Sequence, residues 1–188
     1  CNSGQLEGIH PAGRYMSLDD GDRDLSGVGH YYVATEREAL KVNILCDICK
    51  ISASPRCLIY VNSRRKLDSL ILELRQRDLG VSAVHGNITQ SEREAEMQEF
   101  RSGTTRLLVA TDLSAKGIEV PQVPRVIHYD LPIHRDAYLH RTRSVARFGS
   151  EGAAISLVTA IDMAALKELV EWCHVQIDEL AVDIAACI

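Results

Sequence analysis

The chain has 188 residues, 46% of them hydrophobic and 25% charged, with a formal net charge of -5. That composition supports a packed core and excludes global disorder, and at this length one domain with a tail is expected, because two would each sit near the lower limit for burying a sound core. No apolar run reaches membrane-spanning length and no signal-peptide pattern opens the chain, so it reads as neither a membrane protein nor a secreted disulfide scaffold. It begins with Cys1 rather than Met, so a fragment of a longer protein is expected.

Charge is unevenly spread: residues 1–55 carry -3, residues 56–149 carry +4 and residues 150–188 carry -6. The sequence pI of about 5.8 argues against a surface that coats a polyanion. A basic middle between acidic flanks still permits a local anion site.

Residues 1–28 are rich in Gly, Ser and Asp and read as an acidic arm or interdomain linker, with Asp19, Asp20, Asp22 and Asp24 solvated, ahead of a domain over 29–188. HYYVAT (30–35) predicts a strand and Glu36–Ile51 a helix. The uninterrupted apolar run CLIYV (57–61) predicts a strand buried on both faces. Residues 64–79 are helix-periodic, with Leu67, Leu70, Ile71 and Leu74 on one side. VSAV (81–84) predicts a strand, and Thr89–Ser102 a helix opened by Thr89 with Glu92 three residues on, a capping-box pattern. RLLVAT (106–111), RVIHYD (125–130) and AAISLV (153–158) predict further strands, with helices between and a last one near Ala160–His174.

Short strands alternating with helices imply βαβ units, hence an α/β fold with a parallel sheet. Right-handed crossovers then set the loops that follow the strands along one edge, where ligands bind in open α/β sheets. The polar blocks Asn62–Lys66, His85–Gln90 and Thr111–Glu119 fall at those strand ends. Of six cysteines, only Cys46 and Cys49 have metal or redox spacing, and no second pair or matching histidines follow. Both lie in the apolar-periodic Leu40–Ile51 stretch and read as buried or half-buried free thiols in a reducing compartment, with no metal site.

No Gly-x-x-x-x-Gly-Lys phosphate loop, no Asp-Glu-Ala-Asp and no Gly-x-Ser-x-Gly elbow occurs, so the chain builds neither a complete nucleoside triphosphate site nor a serine hydrolase. Three blocks carry chemistry instead. His85–Arg93 is a Gly-containing loop entering a helix N-terminus, where free N–H groups, Gln90 and Arg93 favour a phosphate. Ala110–Val120 is another strand end, whose glycine permits close backbone approach. His140–Gly149 concentrates arginines on an expected helix, and by itself such a row is a solvated face.

The order VNSRRK (61–66), HGNITQSER (85–93), EFRSG (99–103), ATDLSAKGIEVPQV (110–123), VIHYDLP (126–132) and HRTRSVARFG (140–149) resembles the second RecA-like domain of DEAD-box RNA helicases, above all the translation initiation factor four-A group. The similarity runs over roughly residues 25–188. It implies a RecA-like three-layer α/β/α domain. Asn62, Arg64, Gly86, Gln90, Arg93 and Thr111 would hold the RNA sugar-phosphate backbone without reading bases. Gly117 and Glu119 would approach the nucleotide across an interdomain cleft, and Arg147 would act as an arginine finger. ATP with Mg2+ would be held mainly by a preceding RecA-like domain. RNA, that N-terminal domain and a helical-repeat scaffold are the implied partners, in an intracellular setting, cytoplasmic or nuclear.

The family usually writes the last block His-Arg-x-Gly-Arg-x-Gly-Arg; here Arg143, Ser144 and Ala146 replace glycine, arginine and glycine. A hydroxyl at Ser144 cannot replace a bidentate cation. Arg143 lies four residues before Arg147, so on a continuous helix it would reach the same cleft. Lys116, Glu119 and Asn87 stand where Arg, Asp and Asp are usual. The resemblance therefore implies an ATP-dependent RNA helicase as a whole protein, inactive as this chain alone, with a catalytically weakened clamp or scaffold-binding module as the rival reading.

Overall fold

The structure, a computed structural model, describes residue 25 and residues 27–51, 56–112, 122–145 and 152–180. The expected arm up to residue 24, together with Lys116, Gly117, Glu119 and Arg147, lies outside the described residues. The elements in chain order are β1 (Val28–Thr35), α1 (Lys41–Ile51), β2 (Cys57–Val61), α2 (Arg64–Arg75), β3 (Val81–Val84), α3 (Gln90–Ser102), β4 (Leu107–Thr111), β5 (Arg125–His128), α4 (Arg135–Thr142), β6 (Gly152–Thr159), α5 (Met163–Cys173) and β7 (Asp178–Glu179). Among the described residues, seven strands form one sheet in the order β3-β4-β2-β5-β6-β1-β7, and every pairing between them is parallel. The α/β expectation holds, and all the strands end on one edge.

The period of two along the strands sorts the core into two faces. Ile59, Val61, Val109, Ile127, Ile155 and Leu157 pack against Leu45, Ile48, Leu67 and Leu74 of α1 and α2. The intervening residues Leu58, Leu108 and Val126 point to the other face and meet Met97 and Phe100 of α3. Tyr138 and Leu139 of α4 pack with Leu169 and Cys173 of α5, and Leu25 joins them. The result is helix, sheet, helix in three layers. Cys46 is buried and Cys49 half-buried, both as free thiols.

Several boundaries move for local reasons. The Thr35 hydroxyl donates to the Arg37 carbonyl at 2.6 Å and accepts its N–H at 3.2 Å, which holds a turn after β1. A 3-10 turn (Glu38–Leu40) follows, and the α-helix starts only at Lys41 instead of Glu36. Asp162 accepts from the N–H and hydroxyl of Thr159 at 2.8 and 2.9 Å, which delays the last helix to Met163. The short strand β7 went unforeseen, since a two-residue pairing leaves no periodicity. The capping box at Thr89 and Glu92 is present, and α3 stops at Gly103, whose φ of 82 suits a residue without a Cβ. On the outer strand β3, the Ala83 N–H donates to the Glu96 carboxylate at 2.8 Å, which blunts an open edge.

Candidate nucleic-acid interface

β3, β4 and β2 are neighbours in the sheet, so the three segments that follow them lie side by side. Gly86, Gln90 and Arg93 follow β3, Thr111 closes β4, and Asn62 and Arg64 follow β2. All six residues assigned to an RNA backbone by resemblance therefore share one stretch of the carboxyl edge.

The β2 and β4 parts of that stretch are tied to β5 by Arg141, at the end of α4. It is fully buried, against the expectation of a solvated arginine face. Its Nε and Nη2 donate to the two carboxylate oxygens of Asp112, each at 2.6 Å. Nη1 donates to the Asp130 carbonyl at 2.8 Å, and Nη2 to Oδ1 of Asn62 at 2.7 Å. Its guanidinium also lies over the Tyr60 ring, 5.1 Å from the centroid. One side chain thus bonds residues just past β4, β5 and β2. A fork of fixed planar donors can satisfy three directions at once, which a lysine cannot. The Asn62 side chain also donates from Nδ2 to the Leu131 carbonyl at 2.8 Å, so both ends of its amide are held by the protein. Sequence reasoning did not single out Arg141. The available signal was a set of polar residues at the ends of buried strands, Asn62, Asp112 and Asp130, in need of partners.

A second chain of charges continues along the edge. Asp130 is buried, accepts the Asn62 N–H at 2.9 Å, and pairs with Lys66, which also pairs with Glu38. Glu38 in turn reaches the buried Lys41 at 2.9 Å, and Lys41 lies 3.6 Å from Asp162. Burial alone would lower the Lys66 pKa, but Asp130 and Glu38 outweigh it and hold the ammonium above its ordinary value. Burial would raise Glu38, but Lys66 and Lys41 hold that carboxyl below its ordinary value. Beside this chain lies an open cleft of about 480 Å³ lined by Asn62, Ser63, Arg65, Lys66, Ser69 and Asp130. Ser63 caps α2 there by accepting the Lys66 N–H at 3.3 Å.

Past β3, the space around Gly86 is open: apart from its chain neighbours, no described residue has an atom within 4 Å of where a Cβ would stand. Gln90 is exposed and donates to Glu94 at 2.8 Å. Arg93 is half-buried, and its Nε has no hydrogen-bond partner among the described residues. The α3 N-terminus is not bare: Glu92 accepts from the Thr89 N–H and hydroxyl, both at 2.8 Å, which places a carboxylate at the first turn. Those bonds hold the Glu92 pKa below its ordinary value. Arg64 is exposed and 3.6 Å from Asp68.

The arginine-rich block departs from its expected form. α4 ends at Thr142, Arg143 is its C-cap, and Val145 forms a parallel bridge with Val123 while the Ser144 carbonyl accepts the Val123 N–H at 2.9 Å. The continuous helix that would place Arg143 and Arg147 one turn apart is therefore absent, because the chain has turned back into sheet pairing by Val145. Arg143 and Ser144 are both half-buried at that turn. Among the described residues, no helix is long and apolar enough to cross a membrane.

The sequence profile of the family described as the helicase conserved C-terminal domain matches residues 40–149. The chain is 44% identical over 161 residues to the ATP-dependent RNA helicase eIF4A of Mycosarcoma maydis, covering 86% of this chain and 39% of that protein. The same identity and 86% coverage hold for the eIF4A of Aspergillus clavatus, of which 40% is covered. The chain thus spans about two fifths of the length of these curated relatives. Among solved structures, E. coli DEAD-box protein SrmB, bound to regulator of ribonuclease activity A, superposes with a TM-score of 0.79 at 29% identity, covering 83% of this chain and 92% of that one. S. cerevisiae Dbp5 bound to RNA and ADP BeF3 superposes with a TM-score of 0.77 at 26% identity, covering 85% and 43%.

Proposed function

Since the chain belongs to the helicase conserved C-terminal domain family, as the C-terminal RecA-like domain of a DEAD-box helicase related to the eIF4A type, we propose that it serves as the second half of an ATP-driven RNA clamp. The observation that carries this reading is the Arg141 fork, which locks the ends of β2, β4 and β5 beside the six candidate contacts. Arg64 and Arg93 would neutralise phosphates, Gly86 leaves room for a backbone to approach, and Gln90 and Thr111 offer polar groups to phosphate and sugar. Asn62, whose amide is held at both ends, would contribute mainly by fixing the loop that carries Arg64. Such contacts position a strand without reading its bases. The Dbp5 structure with RNA shows a protein of this fold in contact with that ligand and supports the assignment.

ATP with Mg2+ would be held mainly by a preceding RecA-like domain, and its phosphoryl transfer powers the cycle. Gly117, Glu119 and Arg147 are proposed for this chain's side of that site. Arg143 and Ser144 put a guanidinium and a hydroxyl at the turn after α4, a donor set that suits phosphate oxygens, while the sequence holds no phosphate loop to cradle a triphosphate. This chain therefore forms a second wall and is inactive alone. The N-terminal domain and a helical-repeat scaffold are the proposed protein partners.

Fluorescence anisotropy of a labelled single-stranded RNA, titrated with the chain over a range of salt, tests the reading. Weak, salt-sensitive binding that falls for all sequences alike in Arg93→Ala is expected. No binding at low salt, or a change of base preference in the variant, overturns it. Ser144 favours one rival: a clamp that retains RNA but turns ATP over slowly, because a hydroxyl occupies a finger position.

A further inference from the structure

The face of the sheet beneath α4 carries polar groups where a core is usually apolar. His128 of β5 is paired in register with Tyr60 of β2 on one side and Ser156 of β6 on the other. All three are fully buried, as are Tyr138, Arg141 and Thr142 of α4 above them. Tyr138 is the pin between layers. Its hydroxyl shares a 2.7 Å hydrogen bond with Nδ1 of His30 on β1, and its ring lies 4.8 Å from the His128 ring at an interplanar angle of 34°. Tyr138 and Arg141 are three residues apart on a helix of eight, so they share its inward face. A helix this short has little stability of its own and takes its place from what it packs against.

We propose that His30, Tyr138 and His128 form a positioning device for Arg141, setting the height and rotation of α4 so that the fork meets Asn62, Asp112 and Asp130. The Arg141 bonds are 2.6–2.8 Å long, so a small shift of α4 breaks several at once. The device requires an uncharged His128. Neither of its ring nitrogens has a hydrogen-bond partner among the described residues, and no charge is compensated there. Among the described residues, the titratable or charged groups that face it are Arg141 and Tyr138 of α4, His30 of β1 and Tyr60 of β2. Burial, then the Arg141 cation and then His30 hold its pKa well below the ordinary histidine value. Burial likewise lowers His30. A proton on His128 would set a second cation against Arg141, with no acceptor among the described residues placed to bond its N–H groups, and α4 would have to move.

The positional claim stands on this packing alone, whereas its consequence for RNA rests on the function proposed above. The Nε–H resonance of Arg141, assigned by its loss in Arg141→Lys, reports the bond to Asp112 directly. In the unaltered chain it should persist at neutral pH and vanish below the ordinary histidine range, while backbone amides of β2 and β4 remain. In His128→Asn, which cannot take up the proton, it should persist through the same acid range. Tyr138→Phe keeps the ring and removes the hydroxyl, and should speed exchange of that proton with water by about tenfold at neutral pH, as expected for one lost buried hydrogen bond. An identical acid profile in the unaltered chain and His128→Asn overturns the requirement for a neutral His128. Unchanged exchange in Tyr138→Phe overturns the pin. Should His128→Asn not fold, His128→Gln is read in the same way. Affinity for a single-stranded oligouridine, followed over the same pH range, should track the resonance. If RNA binds at no pH while the resonance behaves as described, the RNA reading fails and the positioning device stands.

Discussion

Arg141 and Asp112 meet through two parallel hydrogen bonds of 2.6 Å, from Nε to Oδ1 and from Nη2 to Oδ2, with the guanidinium fully buried and the carboxylate side chain 34% exposed. The pair ties α4 to the residue after β4, and the remaining donors of the same fork reach the residues after β5 and β2. The ends of β2 and β4, which carry Asn62 and Thr111, are thereby held in register by a helix far away in sequence.

Removing Asp112 should leave that guanidinium buried with two of its four hydrogen bonds gone. Asp112→Ala is expected to cost about 3 kcal/mol, the low end for breaking a buried pair because the carboxylate is partly exposed. Urea denaturation measures it, and a midpoint equal to that of the unaltered chain would contradict the role given to the fork. Arg141→Lys should be nearly as damaging, since an ammonium cannot bond in three planar directions.

RNA affinity should depend on Arg64 and Arg93 through charge alone. Each neutralised phosphate on a single strand contributes about 0.7 to the slope of log affinity against log salt. Arg93→Ala and Arg64→Ala should each lower that slope by about this amount. A variant that weakens binding at every salt concentration without changing the slope would move that arginine out of the contact set.

Nucleotide binding by this chain should be very weak, because no phosphate loop is present in its sequence. Calorimetric titration with ATP and Mg2+ is expected to show no saturation at micromolar nucleotide. Tight binding would contradict a site shared with a preceding domain.

Acid should destabilise the fold through the edge network. Glu38 and Asp162 are held below their ordinary values of 4.5 and 3.8, so the unfolded chain binds more protons as pH falls through that range. Their contribution is present above those ordinary values and is lost as pH falls through the folded ones. Lys66 has the opposite sign: held above its ordinary 10.5, it contributes below that pH and loses its contribution as pH rises through the folded value. Glu38→Gln should lower the urea midpoint at neutral pH and flatten its fall between about pH 5 and about pH 3. An unaltered acid limb in the variant would show that Glu38 does not contribute.

In the whole helicase, the turn after α4 should limit hydrolysis. Ser144→Arg combined with Arg143→Gly is expected to raise RNA-stimulated ATPase, and Arg147→Ala nearly to abolish it. The gain should be smaller than the 10³–10⁵ or so attributed to a lone finger, since Arg147 remains. An ATPase rate indifferent to Arg147→Ala would favour the slow clamp over the enzyme.

The helix over 140–149 shows where local reading stops. Its residues have no turn signal strong enough to end a helix at Thr142, and the end is set by the Val123–Val145 bridge, a pairing between distant segments. The 3-10 turn at Glu38–Leu40 has the same character, since Glu38 there serves Lys66 and Lys41 rather than a helix.

Much of the architecture was written in the sequence itself. CLIYV had the signature of a strand covered on both faces, Thr89 and Glu92 announced their own capping box, and the alternation of strands with helices implied a parallel sheet with its loops on one edge. These features are local, or follow from chirality and periodicity, and need no knowledge of what lies across the fold. The burial of Arg141, the neutral His128 beneath it and the run of charges from Asp130 to Asp162 were decided only by tertiary structure. Charge state and burial depend on which groups lie nearby in space, and the partners of Arg141 alone come from three different strand ends, 11 to 79 residues away along the chain.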